Sequence, residues 1–148
     1  INRGLNLGID VLYSGTLGAV FEAATFGLPA VALSTKSGGF GEAMEALEII
    51  KDFFVRHDLM EKNSLYNINI PIHHKGIRIT RMGERYFVDE FLPQDNDMYL
   101  PTYKEISTYS DDNSIDTNAT MSGYISVTPL TLNRTNMTVF EELIKLNP

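Results

Sequence analysis

The segment that most restricts the fold is residues 14–34. Leu17, Val20, Phe21 and Ala24 recur at i, i+3, i+4 and i+7, which lines one face of a helix. Ser14 stands where an N-cap would stand, and Gly27 is placed to end the helix. Pro29 then opens Ala30-Val31-Ala32-Leu33-Ser34, a continuous apolar run of strand length with no polar alternation. Such a run suits a strand covered on both faces, as in a parallel sheet. A helix feeding directly into a buried strand is one unit of an α/β fold.

The rest of the chain extends the pattern. The hinge Ser37-Gly38-Gly39 leads into a second helix, expected from about Phe40 to Arg56, with Met44, Leu47, Ile50 and Phe54 near helical spacing. Leu65-Tyr66-Asn67-Ile68-Asn69-Ile70 alternates as a strand before Pro71, and Gly76-Ile77-Arg78-Ile79-Thr80 alternates again. The order α, β, α, β, β points to an α/β sheet and away from a sandwich or a bundle. From residue 86 to about 119, Tyr86, Phe87, Phe91, Tyr99, Tyr103 and Tyr109 are scattered among Asp, Asn, Pro and Ser without a period. That stretch reads as an excursion outside the core, either a hairpin or arm packing on something else, a neighbouring subunit included, or an ordered surface loop. Tyr124-Ile125-Ser126-Val127-Thr128-Pro129-Leu130 returns to strand alternation, and Thr138-Val139-Phe140-Glu141 has the form of a capping box opening a last short helix with Leu143, Ile144 and Leu146.

At 148 residues, one domain is expected. We divide it into a core of residues 1–84, an arm of about 85–120, and a returning strand and helix in 121–148. Lys and Arg number 12 against 19 Asp and Glu, a net charge of −7 with no basic block, so a nucleic-acid polymer or an anionic membrane is a poor partner. Any phosphate must be met by local geometry. With no cysteine, thiolate metal sites and cysteine nucleophiles are excluded, and the cytoplasm is the expected compartment.

Two places could carry chemistry. Tyr13-Ser14-Gly15-Thr16 lies at a helix start, where unpaired N–H groups and the positive end of the helix dipole favour an anion. Gly15 lets that anion approach the backbone, and both hydroxyls can donate to it. On these residues alone a plain Ser N-cap, which is common, is the preferred explanation. Asn2 and Asn6 flank Gly4, and each offers one carbonyl oxygen suited to a hard divalent cation and one amide suited to a phosphate or ribose oxygen. Taken by themselves, turn-forming Asn residues are the preferred explanation. His73-His74 and Asp111-Asp112 read as solvated turns.

Read together, Ile1-Asn2-Arg3-Gly4-Leu5-Asn6-Leu7-Gly8, Asp10-Val11-Leu12-Tyr13-Ser14-Gly15-Thr16 and Gly27-Leu28-Pro29-Ala30 resemble the central motif of the SurE family of 5'/3'-nucleotidases. Asn67-Ile68-Asn69-Ile70-Pro71, Lys75-Gly76-Ile77-Arg78-Ile79-Thr80-Arg81-Met82-Gly83, Asp116-Thr117 and Gly123-Tyr124-Ile125-Ser126-Val127-Thr128-Pro129-Leu130 resemble later family segments. The resemblance covers nearly the whole chain.

It implies a divalent-metal-dependent phosphomonoesterase acting on nucleoside monophosphates. The implied fold is a three-layer, Rossmann-like α/β fold with a mostly parallel sheet and a C-terminal arm exchanged within a homodimer or homotetramer. Residue by residue, it puts Asn2 on a Mg2+ or Mn2+ ion, and Asn6, Ser14, Gly15 and Thr16 around the substrate phosphate, with Asn2, Asn6 and Ser14 as the catalytic set. The family's Asp-Asp pair and loop Ser have no counterpart here, because the chain begins inside the motif at Ile1. An N-terminal portion is therefore expected to be missing, and the chain alone is expected to be incomplete for catalysis. Where some family members place an Asp and a His four apart, Asn133 and Met137 stand. The rival expectation is a non-catalytic phosphate-binding or assembly fragment.

Overall fold

The computed structural model describes residues 1–106 and 110–148. Five strands form the main sheet: β1 (Asn2–Arg3), β2 (Ala30–Thr35), β3 (Leu65–Ile70), β4 (Ile77–Ile79) and, late in the chain, a strand at Ile125–Pro129. Two more, β5 (Phe87–Pro93) and β6 (Tyr99–Glu105), form a separate hairpin, so the late strand is β7. The main sheet runs β1-β2-β3-β7-β4, and β3 with β7 is its antiparallel pair. The pairings β1 with β2, β2 with β3 and β4 with β7 are parallel.

Two helices cover β3 on opposite faces. Helix α1 (Gly15–Thr25) sends Leu17 and Val20 into a cluster with Ala32 and Leu65, whereas α2 (Phe40–Arg56) sends Ala43, Ala46 and Ile50 against Tyr66, Ile68 and Ile70. Successive residues of a strand point to opposite faces, so Leu65 and Ile68 lie on different sides and the molecule has three layers. All six residues of β3 are buried, as a central strand between two helix layers requires. The short α3 (Leu59–Lys62) joins α2 to β3.

The expected termini of α1 are met: Ser14 Oγ accepts from the Leu17 N–H at 3.2 Å, and Gly27 takes a left-handed φ of 69° just past the last turn. A 3-10 turn at Gly8–Tyr13, which loop chemistry did not announce, connects the first segment to α1.

Two expectations need correction, and a third gains definite bounds. The excursion is not wholly outside the core, because α4 (Asp116–Met121) is buried from Asp116 to Thr120 beneath β7, and Tyr86 is 1% exposed. Its small and polar residues concealed that burial, which hydrogen bonding makes tolerable: Thr120 Oγ1 donates to Ser126 Oγ at 3.1 Å. Within the excursion, β5 and β6 form a regular antiparallel hairpin with Asn96 and Asp97 in left-handed conformations at its tip. A hairpin is one expected form of this stretch; Pro93 and Pro101 obscure the bounds of its strands, since proline is tolerated in such ribbons only where no ladder N–H is needed. Tyr109 lies outside the described residues. The last helix, α5 (Met137–Leu143), starts before the expected capping box: Asn136 Oδ1 accepts from the Val139 N–H at 3.2 Å, which makes Asn136 the cap. No residue of α5 is buried.

Candidate functional site

Because β1, β2 and β3 are parallel, the residues at their C-terminal ends gather on one edge of the sheet. Ligands in open α/β sheets bind at that edge. The loop after β1 crosses it, held by the Gly4 N–H donating to Thr35 O at 2.8 Å.

Asn6 is the most firmly placed residue of that loop. Its backbone N–H donates to Asn69 Oδ1 at 2.8 Å, and its carbonyl accepts from both Asn67 Nδ2 and Asn69 Nδ2, each at 2.8 Å. Asn67 and Asn69 are fully buried on the α1 face of β3, where hydrophobic residues would pack but could not hold a backbone. The Asn6 side chain is turned so that Nδ2 donates to Ser34 Oγ at 2.7 Å.

Asn2 sits at the loop entrance, and its Nδ2 donates to Gly4 O at 2.8 Å. That bond orients the amide and leaves Oδ1 as the group available to a ligand. Among the described residues no group of three His, Cys, Asp or Glu could hold a metal ion.

Further along, Gly8 turns the chain into the 3-10 segment with φ of 54°, and a Cβ there would lie 1.8 Å from Glu84 O. The buried Asp116 ties this corner together. Its Oδ2 accepts from the Gly8 N–H at 2.9 Å, and its Oδ1 from the Gly83 and Thr117 N–H groups at 2.8 Å each. Burial pushes its carboxyl above the ordinary range, against the pull of those backbone donors.

A cleft of about 260 Å³ opens where the loop meets α1, and Asn6, Ser14, Asp10 and Arg85 all line it. Ser14 reaches it while its Oγ caps α1. Gly15 and Thr16 occupy the first turn of α1, and a Cβ on Gly15 would meet no atom within 4 Å. Packing therefore does not require glycine at position 15. Of the five residues singled out from sequence, Asn6 and Ser14 share the cleft. Asn2, Gly15 and Thr16 flank it without lining it.

Sequence reasoning did not single out Asp10, Asn67, Asn69, Arg85 or Asp116 as site residues. Four of them stand inside the quoted motifs, but their partners are far away in sequence, 108 residues in the case of Asp116 and Gly8. Of the weaker candidates, His73, Asp111 and Asp112 are exposed, whereas His74 is half-buried and its Nδ1 is buried without a hydrogen-bond partner among the described residues. His73 takes a left-handed φ of 57°. Asp112 accepts from the Ser114 N–H and meets Arg81 at 3.2 Å, and these contacts lower its carboxyl below the ordinary value, Ser114 most. Asn133 Nδ2 contacts Met137 Sδ at 3.5 Å in solvent.

A family model described as Survival protein SurE matches residues 1–89. The chain is 36% identical over 152 residues to a 5'-nucleotidase SurE from Caldanaerobacter subterraneus subsp. tengcongensis, covering 97% of this chain and 59% of that protein. It is 35% identical over 151 residues to a 5'-nucleotidase SurE from Desulforamulus reducens, covering 97% and 60%. The crystal structure of the SurE protein from Aquifex aeolicus superposes with a TM-score of 0.76 at 30% identity, covering 99% of this chain and 62% of that one. The chain thus spans about three-fifths of the length of the relatives it matches.

Proposed function

The chain belongs to the SurE family, and from that premise we propose that it forms the phosphate-binding part of a divalent-metal-dependent phosphomonoesterase that hydrolyses nucleoside 5'- or 3'-monophosphates. The observation that carries this reading is the shared cleft, in which a backbone-locked Asn6 and the Ser14-capped start of α1 meet at the C-terminal edge of parallel strands. The relatives named 5'-nucleotidase SurE support the substrate class.

In this reading the N–H groups of Gly15 and Thr16 bind phosphate oxygens, with the Thr16 hydroxyl as a further donor. Asn6 orients the anion through its amide. The empty space at Gly15 is the room the anion takes. As charge develops on the equatorial oxygens during P–O cleavage, the fixed donors at the start of α1 stabilise it without reorganising. A Mg2+ or Mn2+ ion would supply Lewis-acid polarisation of the phosphoryl group and an activated water. Asn2 fits as one neutral oxygen ligand of such an ion and does not make a site by itself, and the acidic pair that the resemblance implies has no match in residues 1–148. The hairpin of β5 and β6 is read as the exchanged arm of a homodimer or homotetramer.

Inorganic phosphate, a product of the proposed reaction, tests the seat. Ser14→Ala and Thr16→Val should each weaken its inhibition of the native protein by about 1 to 3 kcal/mol, the range for a hydrogen bond to a charged group. Gly15→Val should weaken it more while leaving the fold intact. Equal inhibition in all three variants would reduce the helix start to a cap. Phosphate binding without turnover of any nucleotide would favour a non-catalytic module.

A further inference from the structure

Resting on the phosphate reading above, we propose that Arg85 recognises the substrate phosphate and that Asp10 is the residue that positions it. The charges around the cleft make a cation necessary. Its lining carries the carboxylates of Asp10 and Asp89, in a chain of net charge −7. Two carboxylates facing a phosphate would repel it. Arg85 is the cation among the lining residues. Its Nε lies 4.0 Å from Asp10 Oδ1, and no hydrogen bond among the described residues occupies Nη1 or Nη2. That leaves the outer edge of the guanidinium fork for two parallel bonds to an oxyanion, a geometry that lysine cannot reproduce.

Asp10 controls where that fork stands. Its Oδ2 accepts from the backbone N–H groups of Tyr86 at 2.6 Å and Phe87 at 2.9 Å, the two residues directly after Arg85. One carboxylate therefore pins the root of the hairpin to the 3-10 turn that leads into α1. Its other oxygen faces Arg85. The Asp10 side chain is 15% exposed and that of Arg85 44%, which suits an anchored positioner and a side chain that can reach a ligand.

The test uses the native protein, with inorganic phosphate as the titrant and a nucleoside monophosphate as the substrate. Arg85→Gln should weaken phosphate binding and raise KM about 10- to 100-fold, the loss expected for charge-assisted bonds, while kcat changes far less. Arg85→Lys should recover only part of the loss. Asp10→Asn should also weaken phosphate binding in the presence of Arg85, yet cost nothing further in the Arg85→Gln background, because it acts through Arg85. Equal cost in both backgrounds would overturn the positioning role. If Arg85→Gln binds phosphate as well as wild type while Ser14→Ala binds it worse, Arg85 is dismissed and the seat at α1 survives. If the wild type does not bind phosphate, both readings fall. Should Asp10→Asn fail to fold, the Arg85→Gln and Arg85→Lys pair still decides the recognition role.

Discussion

Asp116 shows how much a single carboxylate can organise when its acceptor capacity is filled. Three backbone N–H groups from Gly8, Gly83 and Thr117 end on it, with no exposed surface left. Asp116→Asn would turn a donor toward one of these amides and leave it unsatisfied, a loss of about 1–3 kcal/mol of stability in denaturant unfolding. Because burial raises the folded carboxyl above its ordinary value of 3.8, its contribution is fully present below that value and is lost as pH rises through the raised one. The advantage of wild type over Asp116→Asn should therefore shrink as pH rises, and a constant difference would contradict this. Gly8→Ala is predicted to be worse tolerated than Gly15→Ala, since the first meets the Glu84 carbonyl and holds a positive φ while the second meets nothing. Paired thermal melts compare the two directly. At this scale the sequence exposed Asn6 and Ser14 through motif and cap chemistry. It concealed Asn67, Asn69 and Asp116, whose partners are brought to them only by the fold.

Elements differ in how openly their sequences declare them. Helices α1 and α2 and strands β2, β3 and β7 were legible because their periodicity reflects a two-sided core. The hairpin was expected only as one form of the excursion, and its strand bounds were not legible, because β5 and β6 cover no hydrophobic layer of the main sheet and expose Phe91, Tyr99, Leu100 and Tyr103. Among the described residues it is held at the root, where Tyr86 is buried with Leu5 and Leu7 and Asp10 Oδ2 accepts from the Tyr86 and Phe87 N–H groups. Exposed aromatics on a ribbon anchored at one end are the surface expected of a subunit interface. Replacing residues 91–109 by a short Gly-Ser linker should lower the assembly state in sedimentation velocity while circular dichroism keeps the α/β signature. An unchanged sedimentation coefficient, once corrected for mass, would make the hairpin a surface ornament. Short α4 was illegible for a different reason: its buried face is polar, so no apolar period marks it.

The molecule as a whole is acidic, and the proposed anion site has to work against that charge. A net charge of −7 opposes phosphate at long range, so recognition depends on donors fixed within a few ångströms by β3, the loop after β1 and the start of α1. The three-layer sheet was predictable from the order of helices and strands. That Asn6 and Ser14 share one cleft with Arg85 was not, because Arg85 is brought to them only by the fold. The central claim is that this edge serves phosphate-ester hydrolysis with the help of a metal ion coordinated in part by Asn2. Its most direct measurement is phosphate release from nucleoside 5'- and 3'-monophosphates by the native protein, with Mg2+ or Mn2+ and with chelator, for wild type and Asn2→Ala. The account predicts metal-dependent release that chelator abolishes and that Asn2→Ala lowers by orders of magnitude, since water in place of the amide oxygen is not held in orientation. Release that Asn2→Ala leaves unchanged, or no release from any nucleoside monophosphate, would contradict it.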